Sequence, residues 1–195
     1  MADQITEAQM AFLKMCRLGD SESVKEALLK WDVDPHAKEE QFDGRSALHL
    51  AAVVGCRDVV QLLLEVGGVD VNVADDWMGW TPLVWAAKHG RVDVVKFLLN
   101  YPDTDPNVAN LDGRTPLMLL LLNYKYWPTT SNICLQTVVD NDRVDLDFVD
   151  KTLVASPSEH RPKPQPTPPR KIPRRFLQAY IFLGWKILHI NDIRT

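Results

Sequence analysis

The chain repeats itself. Gly44-Arg45-Ser46-Ala47-Leu48-His49-Leu50-Ala51-Ala52 returns as Gly79-Trp80-Thr81-Pro82-Leu83-Val84-Trp85-Ala86-Ala87, and in part as Gly113-Arg114-Thr115-Pro116-Leu117-Met118-Leu119. The leading glycines stand 35 and then 34 residues apart. Beyond Gly55 and Gly90, Asp58-Val59-Val60-Gln61-Leu62-Leu63-Leu64 matches Asp93-Val94-Val95-Lys96-Phe97-Leu98-Leu99, and the units close on Asp70-Val71-Asn72-Val73 and Asp105-Pro106-Asn107-Val108. A unit this short cannot bury an apolar face alone. Its neighbours must stack on it, so the repeat fixes a one-dimensional array before any other property is considered.

The same frame extends outward in weaker form. Phe12 falls where Leu48 does, Gly19 where Gly55 does, and Asp34-Pro35-His36-Ala37 where the closing segments do. Asp145-Leu146-Asp147-Phe148 reads as a fourth closing segment, delayed by an insertion at Tyr126-Trp127-Pro128-Thr129-Thr130-Ser131. Within a unit, Ser46, Thr81 and Thr115 stand where they can cap a helix, and Pro82 and Pro116 occupy a first turn that needs no N–H. Gly55 and Gly90 suit the left-handed residue that ends a helix. Asp58 and Asp93 suit the positive end of the next helix dipole. Upstream, Thr6-Glu7-Ala8-Gln9 reads as a capping box, with Ile5 and Met10 as its hydrophobic staple, and opens the N-terminal cap of the array.

These residues closely resemble the ankyrin repeat, whose Thr-Pro-Leu-His motif and ~33-residue period they carry with one or two extra residues per unit. The resemblance covers about residues 8–150 and is most specific over 42–118. It implies an all-α solenoid of about four helix-turn-helix units (5–39, 40–74, 75–109 and 110–150), with paired turns projecting as a row of fingers. The motif histidine survives only as His49, being Val84 and Met118 elsewhere. In the last unit Leu120-Leu121 replaces the alanine pair and Tyr124 the glycine, which marks that unit as strained or as an end cap.

Composition excludes more than it assigns. Hydrophobic content of 46%, charged content of 25% and a net charge of −4 describe an ordinary soluble chain with no global attraction to nucleic acid. The N-terminus has no basic region followed by an apolar run, so no signal peptide is read. Cys16, Cys56 and Cys134 are an odd, unpaired set, expected to be reduced thiols in the cytoplasm or the nucleus. Phosphate-loop, dinucleotide, zinc-protease and nucleophile-elbow motifs are all missing, so an enzyme is not expected and no cofactor is implied. Asp140-Asn141-Asp142 opens like a calcium loop, but Asp145 and Lys151 stand where a glycine and a bidentate acid are needed. The five histidines show no ligand spacing.

Beyond residue 150 the pattern stops. Residues 151–175 read as a proline-rich disordered linker in which Lys163 to Lys171 fits ligands of polyproline-reading domains in either orientation, a weakly specific pattern that also suits a plain solvated linker. Residues 176–195 form an apolar segment that follows Arg170, Lys171, Arg174 and Arg175. It is shorter than the ~20 apolar residues of a membrane span and holds Gln178, Lys186 and His189, so no membrane crossing is expected. Its alternatives are contact with a membrane surface, a helix over the open end of the stack, and a segment with no dedicated role.

The finger turns carry the least expected residues. Two positions before each finger glycine stand Phe42, Trp77 and Leu111; one position after stand Arg45, Trp80 and Arg114. By the family's geometry these positions project. Stacking then predicts an apolar ridge Phe42–Trp77–Leu111, joined by Met78, beside an Arg45–Trp80–Arg114 row suited to cation–π contacts. The other reading has Trp77 and Trp80 folding back onto a neighbouring finger. With Lys88 and His89, these residues form the candidate partner-binding set. They point to a non-catalytic protein-interaction scaffold or adaptor that binds protein partners through the fingers and the adjoining concave helix face, the rival being a regulatory or targeting subunit of an enzyme complex with the proline-rich basic tail as a second contact. The spacing from Leu64 to Asn72 and from Leu99 to Asn107 also resembles that of asparagines hydroxylated in ankyrin repeats, while either asparagine could equally brace its turn.

Overall fold

The computed structural model describes residues 7–39, 43–122 and 130–145. Eight helices follow in order among them: α1 (Glu7–Leu18), α2 (Ser21–Lys30), α3 (Ala47–Val54), α4 (Arg57–Glu65), α5 (Pro82–Lys88), α6 (Val92–Asn100), α7 (Pro116–Leu122) and α8 (Thr130–Asp140). Links of two or three residues fold α1 onto α2, α3 onto α4 and α5 onto α6. The first helices α1, α3, α5 and α7 pack in a row, and the second helices α2, α4, α6 and α8 form a parallel row beneath them. The array is therefore an ankyrin-type solenoid of four helix pairs. One short antiparallel ladder is added at the first finger, where β1 (Lys38–Glu39) pairs with β2 (Arg45–Ser46).

The repeat register becomes a column of interior side chains. Phe12, Leu48, Leu83 and Leu117 hold equivalent places in α1, α3, α5 and α7 and are all buried. In the second helices, Val59, Val60, Leu63 and Leu64 of α4 reappear as Val94, Val95, Leu98 and Leu99 of α6. Forty residues further on, the same four places in α8 are Cys134, Leu135, Val138 and Val139, also buried. This i, i+1, i+4, i+5 spacing keeps one apolar stripe facing the first helices. Between α5 and α7 the offset is 34, and between α6 and α8 it is 40, so the insertion read near residue 126 falls between α7 and α8. Its later part, Thr130 and Ser131, opens α8.

Helix ends follow the expected chemistry only in part. Ser46 caps α3 reciprocally with His49, whose Nδ1 accepts from the Ser46 N–H at 3.1 Å. Gly55 closes α3 in the left-handed region (φ 89°), where a Cβ would also lie 2.6 Å from the Arg91 side chain. Thr81, expected to cap α5 with its hydroxyl, makes no such bond: Oγ1 is buried and has no partner among the described residues. The start of α5 rests instead on Pro82, which fixes the first-turn backbone and leaves no N–H to satisfy. Thr6, Ile5, Tyr124, Phe42 and both C-terminal segments, 151–175 and 176–195, lie outside the described residues.

The closing turns hold one unit to the next. Asn72 donates from Nδ2 to the Asp103 carbonyl and accepts the Asp105 N–H, both at 2.8 Å. Asn107 makes the corresponding pair with the Arg143 carbonyl (2.8 Å) and the Asp145 N–H (2.6 Å). Asp145 thus occupies the place of Asp105, as the fourth closing segment requires. Arg143 spans the same joint and donates to the carbonyls of Leu99, Tyr101, Pro102 and Thr104 at the C-terminal end of α6, where helix carbonyls lack partners.

Leu98 is fully buried between these layers. Leu98→Ala is expected to cost ~2–5 kcal/mol in denaturant unfolding, whereas Lys96→Ala, exposed on the same helix, should leave the midpoint nearly unchanged. Equal shifts for the two variants would contradict the stack.

Candidate protein-binding site on the fingers

The second finger is built on one carboxylate. Asp75 is 3% exposed. Its Oδ1 accepts the N–H of Met78 (3.0 Å) and of Trp80 (3.1 Å), and its Oδ2 accepts the indole N–H of Trp85 at 2.7 Å. The Asp75 N–H closes the turn onto the Trp80 carbonyl at 3.0 Å. In the third finger Asn110 does the same work, accepting from Asp112 and Arg114 at 3.1 and 2.8 Å while its own N–H binds the Arg114 carbonyl.

The two fingers differ by one residue. Asp75 reaches partners three and five positions ahead; Asn110 reaches partners two and four ahead. Ladder bonds between neighbouring fingers place the extra residue. The Asp76 N–H binds the Asp43 carbonyl and the Leu111 N–H binds the Met78 carbonyl, each at 3.0 Å. Leu111 therefore holds the place of Asp76, and Trp77 is the additional residue. Counting from the finger glycines aligned Trp77 with Leu111; the backbone does not, so a ridge of strictly equivalent side chains is not what forms. Gly79 has a φ of 70°, and a Cβ there would meet both the Leu111 side chain and its backbone nitrogen at 3.1 Å. The lack of a side chain at Gly79 lets the third finger lie directly against the second.

The tryptophans separate by depth. Trp80, expected to project, is 7% exposed and packs with Val84, Trp85 and Leu119 in a small core of its own, with Val53 and Met78 against it. The physical reason is His49: its Nε2–H donates to the Trp80 carbonyl at 2.9 Å and draws that residue down onto α3. Trp77 is 50% exposed and meets Trp80 edge-on at 5.6 Å between ring centroids. Leu111 is 75% exposed and Arg114 is also exposed, with Asp112 3.7 Å away.

The cations are arranged differently from the expected row. Arg45 lies 4.8 Å over the ring of Trp85, not of Trp80, and is near Asp43 at 3.8 Å. Lys88 takes Trp80 as its partner: its Nζ is 4.6 Å from the rings of Trp80 and Trp85 and 6.0 Å from that of Trp77. Burial, and then the Arg45 charge, lower the Lys88 pKa. His89 stacks on Trp85 at 5.7 Å and donates from Nδ1 to the Trp85 carbonyl; burial lowers its pKa despite that bond. Trp85 is the residue that sequence reading missed. Its signal was there: an indole stands where the neighbouring units have Leu50 and Leu119, beside the alanine pair.

Residues 12–110, just over half of the chain, match the family described as ankyrin repeats (3 copies). The chain belongs to the ankyrin repeat family. Similar proteins include the palmitoyltransferase AKR1 of Lachancea kluyveri, 32% identical over 139 residues that make up 69% of this chain and 18% of that protein. The rat ankyrin repeat and SAM domain-containing protein 6 is 35% identical over 132 residues, 65% of this chain and 14% of its own length. The rice BTB/POZ domain and ankyrin repeat-containing protein NPR5 is 45% identical over 79 residues, 40% of this chain and 15% of that one. The chain thus spans less than a fifth of the length of each of these curated relatives. Ankyrin repeats are in general non-catalytic protein-interaction units. Among the described residues, no helix is long and apolar enough to cross a membrane, and no group of three or more His, Cys, Asp or Glu side chains could hold a metal ion.

His49 yields a pH prediction. It is fully buried, and Nδ1 accepts from the Ser46 N–H while Nε2–H donates to the Trp80 carbonyl, which fixes a neutral ring. Burial lowers its pKa from 6.5 to about 4. The unfolded chain therefore takes up the proton first as pH falls. The stabilisation is whole above about pH 6.5 and is lost progressively toward pH 4, by up to about 3 kcal/mol. Unfolding measured across that range should show this slope in the wild type, and His49→Gln should lack it. At neutral pH, Trp80→Ala should cost ~3–5 kcal/mol as a core substitution, and Trp77→Ala less than ~1 kcal/mol.

Proposed function

We propose that this chain is a non-catalytic recognition module that binds a protein partner through the exposed side of its second and third fingers and the adjoining ends of α3 and α5. The observation that carries the reading is the contrast between two neighbouring tryptophans. Trp80 is buried and packs in the finger's small core; Trp77, inserted beside it, leaves half of its surface in water. A large aromatic residue that folding does not need to bury, held by a rigid neighbour, is the usual composition of an interface anchor. Leu111 extends the apolar surface, and Lys88, Arg45, His89 and Arg114 form its polar rim. Binding of this kind needs no cofactor. We place it in the cytoplasm or nucleus, where Cys16, Cys56 and Cys134 stay reduced; burial raises the Cys16 and Cys134 thiols to about 12 and about 11, well away from reactivity.

The test uses a partner isolated by pull-down with the full chain. Trp77→Ala should weaken its binding by ~2 kcal/mol, about thirtyfold, while the melting temperature stays nearly unchanged. Undiminished affinity with the fold intact would remove the finger site. Asn72 and Asn107 remain proposed hydroxylation positions, yet each holds two bonds across a unit joint. These bonds favour the bracing role over modification. Mass spectrometry of cell-derived protein is thus expected to show little added oxygen at either residue, and a large hydroxylated fraction would show that these joints open in the cell.

A further inference from the structure

The two ends of the row of first helices are unlike. At one end α1 packs against α2 and α3, and its outer side stays in water: Met10 is 57% and Leu18 69% exposed, with Glu7, Lys14 and Arg17 exposed beside them. At the other end α7 has the corresponding two neighbours, α5 and α8. Yet Leu117, Met118, Leu119 and Leu120 are each at most 2% exposed. Two neighbours leave one side of a helix uncovered, as α1 shows. The side of α7 turned from α5 is therefore covered by a part of the chain beyond the described helices. The sequence of α7 agrees. Pro116-Leu117-Met118-Leu119-Leu120-Leu121-Leu122 has no polar residue on any side, and a helix that is apolar all round belongs in an interior. In α5, which has first helices on both sides, Ala86-Ala87 and Lys88 hold the places of Leu120-Leu121 and Leu122. Alanines let a further helix of the repeat approach closely. Leucines there hold it off and offer a broader apolar face to some other element.

We propose that this element is the chain's own apolar segment from Phe176 to Ile190, laid against the outer side of α7 as an end cap. Residues 151–195 hold no further unit of the repeat, so they offer α7 no next first helix. Read at helical spacing, Gln178, Lys186 and His189 fall within about 80° of one another, and the rest of the segment is apolar, aromatic or glycine. That pattern suits a helix with one side in water and the others on leucine. Its reach is ample. Residues 146–175 separate it from Asp145; a coil of that length spans about 30 Å, whereas packed helices lie about 10 Å apart. Charge favours the same approach. Asp140, Asp142 and Asp145 are exposed at this end of the array, and Arg143 between them is turned onto the α6 carbonyls. The segment is led in by Arg170, Lys171, Arg174 and Arg175. Residues 123–129 are the nearer rival, but they are tied at both ends and must join α7 to α8. Left bare, a leucine face of this kind would pair with a second copy or another protein.

Amide hydrogen exchange of the full chain tests this, beside a variant altered in the segment alone: Tyr180→Asp with Ile187→Asp, on the side away from Gln178 and His189. In the wild type, residues 176–190 should be protected from exchange. In the variant, α7 should exchange about tenfold faster or more, while α3 and α4 keep their protection. A photoreactive Tyr180→p-benzoylphenylalanine chain should cross-link to residues 116–122 of the same molecule. The cross-link is made in otherwise unaltered protein, so it answers even where the double variant unfolds. Unprotected 176–190 in the wild type, with α7 exchanging alike in both proteins, would overturn the proposal and leave residues 123–129 as the cover. Cross-links that join two chains would overturn it in favour of a second copy. Protection of 176–190 that appears only with phosphatidylserine vesicles would overturn it in favour of a membrane surface.

Discussion

Close approach between the first helices is the constraint on which the rest of the molecule depends. Ala51-Ala52 in α3 and Ala86-Ala87 in α5 are completely buried. With only a methyl group at each place, neighbouring helices pack with their leucine columns in register, and Phe12, Leu48, Leu83 and Leu117 fill the space between them. No single pair of helices of this length is stable alone in water. The interior exists only because units share it, so each unit's stability is set largely by its neighbours. This is also why the joints between units are braced by specific bonds. Asn72, Asn107 and Arg143 satisfy turn and helix-end groups that packing alone would leave unpaired.

His49 connects that interior to the fingers. It is a buried polar side chain in a column of leucine and alanine, and it is tolerated because both ring nitrogens are satisfied, one by its own helix cap and one by the next finger. Through the Trp80 carbonyl it sets the depth of the second finger relative to α3. Asp75 then fixes the shape of that finger from below. The finger is consequently not a loose loop. Its backbone bonds end on groups that belong to the packed array, a pre-organisation that would lower the entropy lost in the docking proposed for it.

Much of this was legible in the sequence because the repeat compares each residue with its own counterparts. The interior columns, the left-handed glycines, the insertion between α7 and α8 and the closing segment at Asp145 all follow from register alone. The finger was less legible. Its glycines offered one alignment and its base residues, Asp75 and Asn110, another, and the two disagree by the one residue that matters most, Trp77. Nothing in a linear comparison says which end of a turn absorbs an insertion. The hydrogen bonds decide it, since Asp76 and Leu111 share a ladder position while Trp77 has no equivalent. Trp80 was misplaced for a related reason: exposure was inferred from the position of the turn, and the pull of His49 on its carbonyl acts across units. Trp85 was overlooked because an aromatic residue inside an apolar helix reads as ordinary core, and its bond to Asp75 is visible only in three dimensions.

These two kinds of residue have different consequences for how such a surface changes. Trp80 and Trp85 are bound into the core, so substituting them disturbs the stack before it alters recognition. Trp77 and Leu111 are supported by that core but add little to it, and Arg45 and Lys88 lie on its rim. An inserted residue is under the weakest folding constraint of any in the finger, because the hydrogen-bonded frame is complete without it in the third unit, where Asn110 closes the shorter turn. On the function proposed for the finger, its binding preference can vary at residue 77 while the helices beneath stay as they are. The array supplies rigidity through residues that repeat, and this finger supplies individuality through the one residue that does not.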